Sequence, residues 1–260
     1  MSVALAARRF LRAQSQAVLS TLSARHDGAP FGSLAPFVLD QQGAPWLLLS
    51  GLAEHSRNLQ ANAQLSLFVQ AAQSHAVDAG QQREPAADAQ LASRGDSQAS
   101  ARLTLVGKAD TASPDAALRA RFIRYQPQAE SYLKLGDFRF WRVQPLELRF
   151  IEGFARAHWV AAGDFLLDGD AGDRFAQAEE QTIAWLHSTH GINLQRLGVQ
   201  SGAASRRPQV QLLGLDGDGL DMVVDGQRRR LAFVESIAHP ADWPEAFAAL
   251  LQPANPRQTP

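Results

Sequence analysis

The chain has 260 residues, of which 45% are hydrophobic, and this is enough to build one large core or two modest ones. The net charge of −1 leaves no basic surplus to neutralise a phosphate backbone, which argues against a general nucleic-acid binder. The chain contains no cysteine, so disulfides, thiolate metal sites and iron–sulfur clusters are excluded.

All apolar segments are too short to cross a bilayer as a helix. Near the start of the chain, Arg8 and Arg9 are not followed by the apolar stretch that a secretory signal needs. Together with the absence of cysteine, this pattern predicts a cytoplasmic protein that binds neither a membrane nor nucleic acid.

An amphipathic helix is predicted at residues 3–14, because apolar side chains such as Phe10 and Leu11 recur on one face. The opposite face carries three arginines: Arg8, Arg9 and Arg12. We expect this basic face to be solvated, as on an ordinary surface helix.

Short apolar segments with turn-like connections follow the first helix. They lie at residues 17–23, 33–39, 46–50 and 65–70, with one or two helical turns at 54–62. Connections this short are typical of antiparallel hairpins rather than of parallel crossovers. The sequence therefore predicts an antiparallel sheet in the first part of the chain.

Residues 71–100 differ in composition from the segments around them. They are rich in Ala, Gln, Ser, Asp and Gly and contain hardly any large apolar side chain. Such a segment buries too little surface to offset its chain entropy. We predict a flexible insertion in the first domain, with a lid over a ligand as the functional alternative.

The second half of the chain predicts more strands and a second domain. Strands are expected at residues 102–109, 138–143 and 146–151, and helices at 114–125 and 131–135. The Gly- and Asp-rich residues 169–173 predict a boundary between a barrel domain at 1–168 and a small α/β domain at 174–253. That domain is expected to contain helices at 176–188 and 243–251 and strands at 210–215, 220–224 and 229–233.

Two motifs suggest metals, but their spacing argues against a metal site. A calcium loop beginning at Asp216 would need oxygen ligands where Leu220 and Gln227 stand, so a hairpin turn is the better interpretation. The pair His187 and His190 has no third ligand at a convincing spacing. We therefore predict no metal-ion site and assign no catalytic residue.

The segment after the apolar run 46–49 is a candidate anion site. Backbone N–H groups at a helix start, together with Ser56 and Arg57, are groups that bind phosphates and carboxylates. The alternative is a plain strand–helix junction in which Ser50 caps the helix and Arg57 is solvated. Chemistry alone favours this alternative.

Several motifs occur in an order that resembles a known family. They are SGLAEHSRNL at residues 50–59, LSLFV at 65–69, ARLTLVG at 101–107, YLKLGDF at 132–138, EGFARA at 152–157, GLDGDGLD at 214–221 and RLAF at 230–233. This combination resembles the pyridoxamine-phosphate-oxidase-like, FMN-binding split barrels. The residues of the first motif are similar to those of a haem-utilisation branch of this family, whose members carry a small C-terminal α/β domain.

The resemblance implies an α+β fold, in which an antiparallel split β-barrel with flanking helices is followed by a small α/β domain. It also implies a homodimer that binds haem or FMN. The implied cofactor-binding residues are Ser50, His55, Ser56, Arg57 and Asn58, and the candidate haem ligands are His55, His158 and His187.

One departure from the family bears on the choice of cofactor. Flavin-using relatives place an Arg and a Lys on an early strand, whereas residues 33–39 here contain no cation, which implies weak FMN affinity. Two functions stay open. The protein is either an oxidoreductase acting on haem or through FMN, or a non-catalytic tetrapyrrole-binding regulatory protein.

Overall fold

The computed structural model describes residues 2–71, 100–153 and 156–252. The predicted insertion at 71–100 lies outside the described residues except for its two ends. The chain forms two compact units, each made of three segments. The first unit comprises Met1–Phe37, Leu52–Asp110 and Val143–Phe165, and the second comprises Val38–Gly51, Thr111–Arg142 and Leu166–Pro260.

Seven strands form one sheet, in the order β3-β2-β1-β4-β5-β6-β7. Their bounds are β1 Gln16–Leu22, β2 Pro30–Leu39, β3 Pro45–Ser50, β4 Gln64–Gln70, β5 Arg102–Thr111, β6 Phe138–Ile151 and β7 Ala157–Ala161. Because β3 also pairs with β6, the first six strands close into an antiparallel barrel, and β7 extends the sheet beside β6. The predicted antiparallel barrel is confirmed.

Alternating side chains give the barrel strands one buried face and one outer face. In β1, Ala17, Leu19 and Thr21 are buried, whereas the residues between them lie on the outer face. Strands β2 and β6 are long enough to run from one unit into the other. The first unit also contains the helices α1 Val3–Arg12, α2 Glu54–Ala61 and α5 Ala162–Phe165.

The expectation that the basic face of α1 is solvated is wrong for two of its arginines. Arg8 and Arg12 are buried, and the Arg8 Nη1 donates to the carbonyl oxygen of Phe165 at 3.0 Å. Packing explains the difference, since α1 lies against α5 and its Phe10 ring contacts Phe150 at a centroid distance of 5.5 Å. A buried guanidinium requires such acceptors.

The second unit combines helices with a three-stranded antiparallel sheet in the order β10-β9-β8. Its strands are β8 Val210–Asp216, β9 Gly219–Val224 and β10 Gln227–Ala232. Its helices are α3 Ala116–Tyr125, α4 Ala129–Lys134, α6 Gly169–Gln200 and α7 Trp243–Leu250, with a 3-10 turn at Pro240–Asp242. The left-handed Asp225 and Gly226, with φ of 48° and 81°, form the turn between β9 and β10.

Helix α6 is much longer than the helix predicted at 176–188. It begins at Gly169, so the residues at which we predicted a domain boundary form its first turns, and it is kinked at His190, where φ is −121°. The boundary itself stays a prediction. In the part of the chain that the structure describes, no helix is both long and apolar enough to cross a membrane.

Close packing between β5 and β6 predicts that Gly107→Ala destabilises the protein. A Cβ at residue 107 would lie 2.5 Å from the backbone oxygen of Gln144, which cannot move without distorting the sheet. We expect a loss of about 1–3 kcal/mol in the free energy of unfolding, measured by urea denaturation. The control is Gly32→Ala in the same sheet, where the nearest atom is 3.5 Å away and no loss is expected. Equal effects of the two substitutions would contradict this interpretation.

Candidate functional site

The predicted cofactor segment begins where β3 ends. Ser50 lies in the second unit, where its Oγ donates to the Asp137 Oδ2 at 2.5 Å. It does not cap the next helix, because the N-cap of α2 is Ala53, which makes no side-chain capping bond. His55, Arg57 and the other predicted cofactor residues lie on α2 in the first unit.

Two of these residues are fully buried, and one of them, Asn58, holds α2 against the barrel. The Asn58 amide nitrogen donates to the Thr21 Oγ1 at 3.0 Å, and its oxygen accepts from the Ala24 N–H at 2.9 Å. Ser56 is also fully buried. The hydrogen bonds of Asn58 give this position a structural role, and the cofactor role predicted for Ser56 and Asn58 stays a prediction.

His55 and Arg57 differ in how accessible their polar atoms are. The His55 Nδ1 lies 3.1 Å from the Ser33 Oγ, and its Nε2 is buried without a hydrogen-bond partner among the described residues. Burial lowers the pKa of the His55 imidazole below its ordinary value, which favours the neutral ring. The Arg57 side chain is 60% exposed and lies 3.6 Å from the Glu54 carboxylate, a weak surface pair that a stronger anion can displace.

The other two candidate haem ligands lie on different units. His158 is half-buried on β7, opposite Phe150 of β6, and makes no hydrogen bond to any described residue. Its neighbour Trp159 stacks under the Arg149 guanidinium at 5.2 Å. His187 is exposed on α6 in the second unit, and its Nε2 accepts from the Leu212 N–H at 3.3 Å.

A buried ionic network in the second unit was not predicted from the sequence. Arg121 of α3 and Glu179 of α6 form an ion pair with side chains only 4% and 3% exposed. Arg124 adds a second guanidinium, which donates to the Glu179 Oε2 at 2.6 Å, and the Leu215 N–H donates to its Oε1 at 2.9 Å. The Glu179 carboxylate is therefore neutralised and fully hydrogen-bonded.

The network continues into the three-stranded sheet. Arg230 donates to Asp216 at 2.8 Å and to Asp221 at 2.6 Å, and Arg228 donates to Asp221 at 3.0 Å. The Tyr125 hydroxyl also donates to Asp221, at 2.8 Å. Burial raises the pKa of Tyr125, which keeps the phenol protonated as a donor. These paired charges hold helices and strands of the second unit together. Asp216, where we considered and rejected a calcium loop, is one of the paired residues.

A sequence signal for part of the network existed. Arg228 and Arg230 alternate along one strand, so both point to the same face of the sheet. Asp216 and Asp221 lie on the neighbouring hairpin. The predicted hairpins therefore contain enough information to infer that these arginines and aspartates pair. The contribution of Arg121 and Glu179 could be seen only in the tertiary structure.

The closed antiparallel barrel with flanking helices defines the class of protein, a split-barrel protein. The chain matches the family model "CREG, beta-barrel" over residues 1–166 and belongs to that family. The predicted relationship to the pyridoxamine-phosphate-oxidase-like barrels and their haem-utilisation branch is confirmed.

Two curated relatives support this assignment. Heme oxygenase HutZ of Vibrio cholerae is 30% identical over 166 residues, which are 62% of this chain and 82% of HutZ. The chloroplastic, non-canonical heme oxygenase HOZ of Arabidopsis thaliana is 31% identical over 160 residues. The match covers 61% of this chain but only 42% of the length of HOZ.

A solved structure extends the likeness beyond the barrel. Atu2129 of Agrobacterium tumefaciens, a protein of unknown function, is 26% identical with a TM-score of 0.70. The match covers 94% of this chain and 93% of Atu2129, so it includes most of the residues after 166.

Proposed function

We propose that the protein binds haem and acts in haem utilisation, with His158 as the iron ligand. The support from its relatives is that HutZ and HOZ are named as heme oxygenases. Haem supplies redox and oxygen chemistry when bound, so the chain needs to provide a ligand, apolar contacts and donors for the propionates. A cytoplasmic location remains part of this proposal.

The choice of iron ligand among the three candidate histidines rests on their burial and their hydrogen bonds. Haem iron binds a neutral imidazole nitrogen that it can reach. The His55 Nε2 is buried, although the residue is partly exposed, and the His187 Nε2 already accepts a hydrogen bond from the Leu212 N–H. The His158 imidazole has no hydrogen-bond partner among the described residues and is partly exposed.

His158→Ala is expected to lower haem affinity by at least about tenfold, since even outer-shell partners of metal ligands are worth that much. The measurement is a haemin titration followed by the Soret band of the purified protein. His187→Ala is the matched control and should retain the affinity of the unmodified protein. If His187→Ala or His55→Ala lost haem while His158→Ala retained it, the iron ligand would be that other histidine.

Arg57 is proposed as the partner of a haem propionate. Its guanidinium can form two parallel hydrogen bonds to a carboxylate, each about twice as strong as a neutral one. Glu54 competes only weakly because the pair is exposed. In the same titration, Arg57→Ala should weaken haem binding at an unchanged melting temperature, and unchanged affinity would leave Arg57 as a solvated residue.

The same spectra separate the candidate functions. A Soret band that decays when reductant and oxygen are added indicates a haem-consuming oxidoreductase, the function favoured by the names of the relatives. A stable band indicates a tetrapyrrole-binding regulatory protein. FMN is the less favoured cofactor, because residues 33–39 of β2 offer no cation for its phosphate.

We further propose that the barrel face of the first unit packs against a second copy. Val18 on β1 lies opposite Leu34 on β2, and both side chains are exposed on the outer face. Val106 and Leu146 add exposed apolar surface on β5 and β6. Such a patch on the strands is typical of an interface, and two copies with the same patch can cover each other.

Leu34→Glu is expected to convert the proposed dimer into a monomer, because it places a charge in a desolvated apolar contact. Light scattering coupled to size-exclusion chromatography measures this directly. Leu34 is 68% exposed in the isolated chain, so the fold should tolerate the change. The control is Ile192→Glu, also exposed but in the second unit, which should leave the dimer intact. An unmodified protein that is monomeric at micromolar concentration would rule the dimer out.

A further inference from the structure

A cavity of about 200 Å³ lies within the second unit. Its lining comes from the loop between β2 and β3, from β3 and β6, and from the first turns of α3 and α6. Trp46 and Leu118 supply apolar surface, and several charged side chains supply the polar part. None of the three candidate haem ligands lines it.

Arg142 is the cation in this cavity that has no partner. It lies opposite Trp46 in the pairing of β6 with β3, and both residues line the cavity. The Arg142 Nε is buried, and the guanidinium forms no hydrogen bond or ion pair with any residue that the structure describes. A buried donor of this kind destabilises the folded protein unless an acceptor forms a hydrogen bond with it.

Three carboxylates in the lining are already occupied. Asp40 accepts from the Gly43 and Ala44 N–H groups at 2.9 and 2.8 Å and from the Trp46 Nε1 at 3.1 Å. Asp115 is the N-cap of α3 and accepts from the Leu118 N–H at 2.8 Å.

The third of these carboxylates is Glu179, which is held by Arg121 and Arg124. Glu179 is therefore also unavailable as a partner for Arg142.

Asp173 is the fourth carboxylate, and it differs from the others. It lies on the first turns of α6, is exposed at the rim, and makes no hydrogen bond or ion pair to a described residue. Among the described residues, the cavity lining thus includes two charges of opposite sign without partners. They are the Arg142 guanidinium, whose Nε is buried, and the exposed Asp173 carboxylate.

We propose that this cavity binds a small zwitterion of the amino-acid class. Its carboxylate pairs with the Arg142 guanidinium, which can donate two parallel hydrogen bonds, and its ammonium group pairs with Asp173. The short aliphatic part contacts Trp46 and Leu118. A simple anion would gain nothing from Asp173 and would meet the negative charge of the lining, whereas a simple cation would leave Arg142 without an acceptor.

The test is isothermal titration calorimetry of the full chain with a series of amino acids of increasing length. The probes are glycine, β-alanine, γ-aminobutyrate and δ-aminovalerate, with acetate and methylammonium as single-charge probes. At least one zwitterion should bind about tenfold or more tightly than methylammonium and about a few-fold more tightly than acetate, because it alone pairs with both groups and the pair with Asp173 is exposed. The chain length of the probe that binds most tightly indicates the distance between the Arg142 and Asp173 charges.

Substitutions assign the binding to these two groups. Arg142→Gln should weaken binding of the best zwitterion by roughly tenfold or more, and Arg142→Lys should fall between Arg142→Gln and the unmodified chain. Asp173→Asn should weaken it by about a few-fold, because this carboxylate is exposed. The controls Arg139→Gln and Asp170→Asn, which change exposed charges in the same unit, should bind normally. Melting temperatures show that each variant is folded.

Two results would overturn the proposal. The first is an absence of binding heat for every probe at millimolar concentration. The second is acetate binding as tightly as the best zwitterion, with sensitivity to Arg142→Gln but not to Asp173→Asn, which would describe an anion site instead. Neither result bears on haem binding through His158.

Discussion

Glu179→Ala should lower the free energy of unfolding by about 3–5 kcal/mol, the range for breaking a buried ion pair by removing one partner. The Glu179 carboxylate accepts from Arg121, from Arg124 and from the Leu215 N–H. Alanine would leave the buried Arg121 without its main counter-charge and the amide without an acceptor. Urea denaturation followed by circular dichroism measures the loss.

The next residue along α6 provides a matched control. Glu180 is exposed, so Glu180→Ala should change stability by no more than about 0.5 kcal/mol. If the two substitutions had similar small effects, the charges around Glu179 would be solvated in solution, and the structural role of the network would be wrong.

Phe175→Ala should cost about 3–5 kcal/mol, the usual range for emptying a large aromatic site in a core. Phe175 is fully buried in the second unit, and its ring contacts Trp243 at a centroid distance of 5.3 Å. This core also contains Leu215, Met222 and Phe247. Alanine would leave a cavity that these side chains fill only in part. Chemical denaturation again gives the magnitude.

A graded series separates cavity formation from a general effect of substitution. Phe175→Leu keeps most of the volume and should cost less than about 1.5 kcal/mol. Ile192→Ala removes an exposed side chain of the same unit and should be close to neutral. Equal losses in Phe175→Leu and Phe175→Ala would show that aromatic contact with Trp243, rather than filled volume, dominates at this position.

The strands and tight turns were predictable because their signals are local. Alternating burial along β1 and the Asp225–Gly226 turn follow from side-chain periodicity and from the left-handed conformation that a two-residue hairpin requires. The motif at residues 50–59 and its order relative to the later motifs identified the family, which the match over residues 1–166 confirms.

Helix α6 shows where local signals mislead. The Gly- and Asp-rich residues 169–173 predicted a boundary, but Gly172 lies inside the helix, as does Gly198. A Cβ at Gly172 would lie 2.5 Å from the Gln42 Cγ, and one at Gly198 would lie 2.8 Å from the Pro208 Cγ. These glycines permit close packing with distant residues, which a single sequence does not reveal.

The candidate sites depended even more on tertiary structure. From the sequence, His55, His158 and His187 were equal candidates for the haem ligand. The proposal of His158 rests on the hydrogen bonds and burial of the three side chains. Arg121 and Glu179 are separated by 58 residues, so no periodicity connects them. The unpaired state of Arg142 likewise becomes visible only when its neighbours in space are known.

The most direct test of haem binding is an absorption titration of the purified protein with haemin and, separately, with FMN. We predict that haemin produces a saturable Soret band that His158→Ala weakens or shifts, while FMN shows no tight binding because residues 33–39 lack a cation for its phosphate. Tight FMN binding with flavin absorbance, and no Soret band with haemin, would contradict the account and make the protein a flavin-binding barrel.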